Sequence, residues 1–265
     1  MDFRRLVRGQ VEWDRLEEVV RELTVRYDRE EVHVRFLDAD NWLSTPMVVD
    51  DEWFVKVISK QNSVVHALFT TGRNLGAFSS GTEGFFEHFG TPLQMAEHEL
   101  EATKRMREIG VNAPAPVEAL EVNDLGVLVL EYLPEFRSLG ELDRETERRL
   151  APDLFANLHL MHENSLAHGD LRAENVLIRD GELYFIDATS VREDGREDAR
   201  SYDLACALGV LEPLIGVQAS VDAALSAYTV EELLAAREFM DFVNIRPDHD
   251  FDAAGLKGEI EKRAS

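Results

Sequence analysis

His168-Gly169-Asp170-Leu171-Arg172-Ala173-Glu174-Asn175 is the stretch on which the reading of this chain turns, and Asp187 follows it twelve residues later. The interval holds two apolar runs, Val176-Leu177-Ile178 and Leu183-Tyr184-Phe185-Ile186, separated by Arg179-Asp180-Gly181. An Asp-Gly pair between apolar runs is a strong hairpin signal, because both turn positions need a left-handed backbone. The spacing therefore predicts a polar loop, a tight hairpin, and a carboxylate at the end of the second strand. The plainer reading, an acid-rich loop in an acid-rich protein, leaves the flanking strands unexplained.

The pattern resembles the catalytic loop and metal-binding aspartate of the protein-kinase-like phosphotransferases, H-x-D-L-x-x-x-N followed by a hairpin and an Asp. That resemblance implies Asp170 as the base that reaches an acceptor hydroxyl. It implies Asn175 and Asp187 as ligands of magnesium, a hard cation that prefers oxygen. Arg172, two residues after the base, takes the place of a lysine that contacts the transferring phosphate in many protein kinases, and a guanidinium can do similar work. His168 braces the loop in this reading, and Asp203 resembles the buried acid that holds the loop from below.

Composition sets the bounds. The 265 residues suffice for one domain or two lobes, and 52 acidic against 28 basic residues give a net charge of −24. Only five of the basic residues are lysines, at positions 56, 60, 104, 257 and 262. Acid excess with scarce lysine suggests a protein kept soluble in high salt, as in halophilic archaea; an acidic protein of ordinary cytosol is the alternative. The charge argues against non-specific nucleic-acid binding, which needs a basic stripe. A single cysteine, Cys206, excludes an internal disulfide and reads as a small buried hydrophobe. No apolar run approaches membrane-spanning length and no signal peptide opens the chain, so a cytoplasmic protein is expected.

Apolar periodicity predicts a helix over 11–27, then strands over 32–37, 46–49 and 52–58, the last two joined at Asp50-Asp51. Residues 60–92 carry five glycines without a pattern, which marks a mobile or functional insertion. A helix over 93–109 should stop at Gly110. Strands over 117–122 and 127–132, turning at Asn123-Asp124, come before a mainly helical half with helices near 199–211, 218–228, 230–243 and 254–263. The expected fold is α+β and two-lobed. An N-terminal helical extension (1–30) leads to an N-lobe (31–133) with a five-stranded antiparallel sheet and one main helix, then to a mostly helical C-lobe (134–265).

Lys56 lies in Phe54-Val55-Lys56-Val57-Ile58, where every neighbour is apolar. An unpaired buried charge is expensive, so this lysine needs a partner, unless it belongs to an edge strand and points to water. The resemblance supplies the reason: pairing with nucleotide phosphates and with a glutamate on the next helix. Glu97, Glu99 and Glu101 compete. Glu99 shares a helical stripe with Met95, Ala102, Met106 and Ile109, while Glu97 and Glu101 fall on the opposite side. Glu131 and Leu133, at the end of the fifth strand, correspond to the hinge whose backbone meets the adenine edge. His159 and His162 have no third ligand nearby and read as satisfied helix histidines.

Two departures from the eukaryotic protein kinases are informative. The loop over 38–45 contains no glycine, although a phosphate-covering loop normally uses it. Ser44 and Thr45, or the glycine-rich 72–84 segment, would then contact the phosphates. Only fifteen residues separate Asp187 from Asp203, too few for a full peptide-docking activation segment. Among the atypical branches the RIO kinases fit best. Ile186-Asp187-Ala188-Thr189-Ser190 is similar to their I-D-x-S-Q segment, and the 60–92 insertion resembles their flexible loop. His168-Gly169-Asp170 is also similar to the archaeal kinase of the tRNA threonylcarbamoyl-modification complex and to aminoglycoside phosphotransferases. The resemblance implies a RIO-like serine/threonine kinase or ATPase using ATP and Mg2+ on a protein or ribonucleoprotein, with a pre-ribosomal substrate in the family's pattern. A small-molecule phosphotransferase and a non-catalytic nucleotide-binding scaffold are the rivals.

Overall fold

The computed structural model describes residues 11–37, 44–60, 90–188, 196–246 and 249–265. Residues 38–43 of the expected loop over 38–45, most of the 60–92 insertion, and Thr189 and Ser190 lie outside the described residues. The chain divides into two compact units. The first holds the described residues up to 60, residues 90–104 and Pro114–Pro134; the second holds Arg105–Ala113 and Glu135–Ser265.

The first unit is built on a five-stranded antiparallel sheet. Helix α1 (Trp13–Arg26) leads into β1 (Val34–Phe36), β2 (Thr45–Val49) and β3 (Trp53–Ile58). Helix α2 (Pro92–Glu108) comes next in the chain, then β4 (Pro116–Val122) and β5 (Leu125–Glu131). The strand order is β1-β2-β3-β5-β4. Both expected turns form, with Asp50, Asp51, Asn123 and Asp124 all at positive φ. Asn123-Asp124 is a two-residue turn between paired Val122 and Leu125, and the β2–β3 loop spans 50–52 between paired Val49 and Trp53. Strand alternation sends Met47, Val49, Val55, Val57, Val127 and Val129 to one face, where Leu16, Val19 and Leu23 of α1 join them. The opposite face carries Ile58, Leu128 and Leu130, covered by Ala96 and Leu100 of α2.

Gly126 sets how closely α2 can approach. A Cβ built on it would lie 2.1 Å from the carbonyl oxygen of Pro92, so the first turn of α2 rests on bare backbone of β5. Helix α2 ends as the sequence predicts, with Gly110 at φ +91°.

In the second unit, β6 (Arg137–Ser138) pairs with β7 (Val176–Arg179), which forms the predicted hairpin with β8 (Glu182–Phe185). Asp180 and Gly181 both take positive φ in that turn. Strand β6, two residues long, is too short to show a period in the sequence. The helices are α3 (Arg144–Glu163), α4 (Arg196–Ile215), α5 (Val217–Ala224), α6 (Val230–Arg237), α7 (Met240–Asn244) and α8 (Ala253–Ala264). Residues 202–211 of α4 are buried without interruption, and α3, α5, α6 and α7 pack around this helix; a helix apolar on all sides belongs inside. The single helix expected over 230–243 is broken after Arg237, where Phe239 turns inward against Tyr202.

Candidate active site

In the first unit, Lys56 lies on β3 between Pro46 of β2 and Leu128 of β5. It is therefore on a central strand, and the edge-strand explanation of this lysine is removed. Its side chain is 8% exposed and shares the sheet face covered by α2. The Nζ donates to both carboxylate oxygens of Glu99, at 3.0 and 2.8 Å. Glu97 and Glu101 are exposed on the far side of the helix. The helical stripe thus selects the partner correctly. A buried pair of this kind gains little net stability, because desolvation offsets the Coulomb attraction. Its presence in a valine-rich sheet calls for another reason.

Ser44 and Thr45 are adjacent at the start of β2. Ser44 is buried, and its Oγ has no hydrogen-bond partner among the described residues. The Glu131 N–H donates to the Ala115 carbonyl at 2.8 Å, and its carboxylate accepts from the Ala115 N–H at 2.9 Å. Leu133 is buried just beyond.

In the second unit the loop over 168–175 is tied down from several directions. Asp203, fully buried on α4, accepts the backbone N–H of His168 at 2.6 Å and of Gly169 at 2.7 Å. Gly169 sits at φ +77°, a conformation that side chains rarely adopt. Asp203 also takes His162 Nε2 at 3.2 Å, and His162 Nδ1 meets the Tyr228 hydroxyl at 2.8 Å. With the carboxylate accepting, His162 donates from Nε2 and receives the tyrosine proton at Nδ1. These contacts account for His162 as a structural residue. Burial holds the pKa of His168 below its ordinary value, so its imidazole is neutral, and its Nδ1 accepts weakly from the Asp170 N–H at 3.4 Å.

Arg172 Nε lies 3.2 Å from Asp170 Oδ2. Arg172 also donates to Glu174 at 2.9 Å. Asn175 is almost completely buried, and its Nδ2 donates to the Asp170 carbonyl at 2.8 Å. Asp187 is placed one residue after the Ile186 N–H that donates to the Asn175 carbonyl at 3.1 Å. It takes a left-handed backbone, φ +59°, a conformation that persists in non-glycine residues only where its surroundings fix it. The second unit therefore carries a carboxylate, a guanidinium and an amide oxygen on one loop, and a second carboxylate at the end of the hairpin that follows it.

A RIO domain model matches residues 90–202 of this chain. The KEOPS complex subunit Bud32 of Pyrococcus abyssi (strain GE5 / Orsay) is 31% identical over 104 residues, 38% of this chain and 46% of that protein. The chain resembles the RIO branch of the atypical protein-kinase-like family. Its α+β fold is kinase-like. The Rio2 kinase of Chaetomium thermophilum, solved as an ADP/Mg2+-phosphoaspartate complex, superposes with a TM-score of 0.52 at 15% identity, covering 96% of this chain and 78% of that one. A putative fructosamine-3-kinase from Haemophilus somnus 129PT gives 0.50 at 11% identity, covering 93% and 97%. The chain spans less than half the length of the curated relative it matches.

The RIO-like match contains Glu99, Asp170, Arg172, Asn175 and Asp187 and ends one residue before Asp203, while Lys56 and Ser44 lie before it. For those two residues the structure alone supplies the context. Sequence reasoning missed one residue of this region, Arg246, whose guanidinium lies on Asp170. Position 246 carries no motif and lies 76 residues away, so no local signal marks it.

Proposed function

We propose that this chain is a RIO-like, ATP-dependent phosphotransferase, a serine/threonine kinase or ATPase that moves the γ-phosphoryl group of Mg-ATP to a hydroxyl or to water. The observation that carries the reading is the buried Lys56–Glu99 pair, an ion pair set against a valine-rich sheet. A lysine fixed by a carboxylate is a ready phosphate ligand. Ser44 adds a buried hydroxyl without a hydrogen-bond partner among the described residues, and Thr45 follows it. The backbone at Glu131 and Leu133 is assigned to the adenine edge.

Asn175 and Asp187 offer one amide oxygen and one carboxylate. That set suits magnesium, which takes one or two protein oxygens and completes its shell with phosphates and water. Among the described residues no group of three or more His, Cys, Asp or Glu forms a complete metal cage, and such a site needs none. The ion would supply charge neutralisation on the phosphates. Asp170 aligns the attacking hydroxyl or water, Arg172 offers a guanidinium for the transferring group, and Glu99 keeps Lys56 in register.

Single-turnover hydrolysis of labelled ATP tests the assignment. Asp170→Ala should lower the rate by about a hundredfold or more while ATP affinity stays near wild type; an unchanged rate rejects Asp170 as the acting carboxylate. A wild-type chain that binds ATP without turning it over selects the scaffold reading. Phosphate transfer to an aminoglycoside, and not to protein, selects the small-molecule reading. The acceptor we propose is a protein or ribonucleoprotein, and similarity to a KEOPS complex subunit supports a partner within a larger assembly, a pre-ribosomal particle being the family's alternative. Among the described residues no helix is long and apolar enough to cross a membrane, in keeping with the proposed cytoplasmic site of action. The acid excess supports a high-salt source, and an unfolding midpoint that does not rise from dilute buffer to molar KCl would remove that idea.

A further inference from the structure

We infer that Arg246 is a positioning residue for the Asp170 carboxylate, anchored by the buried hydroxyl of Tyr202; this rests on the phosphotransferase reading above. Arg246 Nη2 donates to Asp170 Oδ1 at 2.7 Å, and its Nη1 donates to the Tyr202 hydroxyl. Its side chain is 13% exposed, and Tyr202 is fully buried. A guanidinium withdrawn from water so far is costly unless it is paired, and these two hydrogen bonds join the proposed base to the buried Tyr202.

The geometry separates Arg246 from Arg172. Arg172 belongs to the same loop as Asp170 and divides itself between Asp170 and Glu174. Arg246 arrives from the segment after α7 and links the carboxylate to the protein interior. A guanidinium is a planar fork with fixed donor directions, so one arm on Tyr202 and the other on Asp170 sets the plane in which the carboxylate lies. A carboxylate has about four lone-pair sites, and two guanidinium contacts do not by themselves exhaust it.

Tyr202 and Asp203 are consecutive on α4 and serve the same loop. Asp203 holds the backbone of His168 and Gly169, and Tyr202 holds the side chain of Asp170 through Arg246. One turn of a buried helix thereby fixes both the main chain and the reacting group. This anchoring is that of a strut. A gate meant to open would be exposed and lightly held.

Single-turnover hydrolysis of Mg-ATP, with nucleotide affinity measured alongside, tests the inference. Arg246→Met should lower the rate by about 10- to 100-fold with affinity unchanged, and Arg246→Lys, which keeps the charge without the fork, should recover only part of it. In an Asp170→Asn background, Arg246→Met should cost nothing more, because the group it positions is gone. A wild-type rate in Arg246→Met, an equal further loss in the Asp170→Asn background, or a rate above wild type would each overturn the role. Should Arg246→Met not fold, as judged by thermal melting, Tyr202→Phe keeps the arginine and removes its anchor; it should slow the step several-fold with affinity unchanged, and a wild-type rate there overturns the inference. A wild-type chain with no turnover instead fails the phosphotransferase reading on which it stands.

Discussion

At the scale of single residues, the two acids of the proposed catalytic segment have different proposed work, and substitution should separate them. Asp170 is one-fifth exposed and held by two arginines, as suits a group that aligns an acceptor. Asp187 sits at φ +59° after the hairpin, close in sequence to the strand end that meets Asn175, as suits a metal ligand. Asp187→Ala is expected to abolish the magnesium dependence of ATP binding, seen as equal affinity with and without the ion in equilibrium titration. Wild-type affinity and wild-type magnesium dependence in that variant would reject the ligand role. Cys206 needs no chemistry: burial pushes its thiol up to about 12, and a protonated thiol inside α4 is inert.

At the scale of elements, the placement of Lys56 opposite Glu99 depends on how α2 lies on the sheet. Strand alternation puts Lys56 on the face with Ile58, and the 3.6-residue period puts Glu99 beside Ala96 and Leu100. Gly126 lets the helix start close enough for the two to meet. Gly126→Ala would drive a methyl into the Pro92 carbonyl, where backbone cannot step aside cheaply. We expect a loss of about 1–3 kcal/mol in urea unfolding, with weakened ATP binding as α2 shifts. Wild-type stability would show that α2 has slack at this contact.

For the whole molecule, buried phenols make a prediction about pH. Burial, reinforced by the neighbouring Glu118, raises the pKa of Tyr27, and burial raises that of Tyr228. The folded chain therefore holds these protons more tightly than the unfolded chain, whose tyrosines ionise near pH 10. The resulting stabilisation is complete below about pH 10 and is lost as the pH rises above it. Two of the five tyrosines should thus ionise only as the protein unfolds, in a cooperative step of tyrosinate absorbance that coincides with loss of helical circular dichroism. Smooth, independent titration of all five near pH 10 would contradict this.

The sequence by itself determined what depends on neighbours along the chain: the Asp-Gly hairpin, the turns at Asp50-Asp51 and Asn123-Asp124, the end of α2 at Gly110, and the choice of Glu99 from three glutamates on one helix. Each follows from a local backbone requirement or a helical period. Only the tertiary structure decided that β3 is central, that β6 exists, that Asp203 extends through His162 to Tyr228, and that Arg246 reaches Asp170. Those contacts join residues tens of positions apart. Their partners are chosen by packing around α4 and across the sheet, and no period in the chain records that choice.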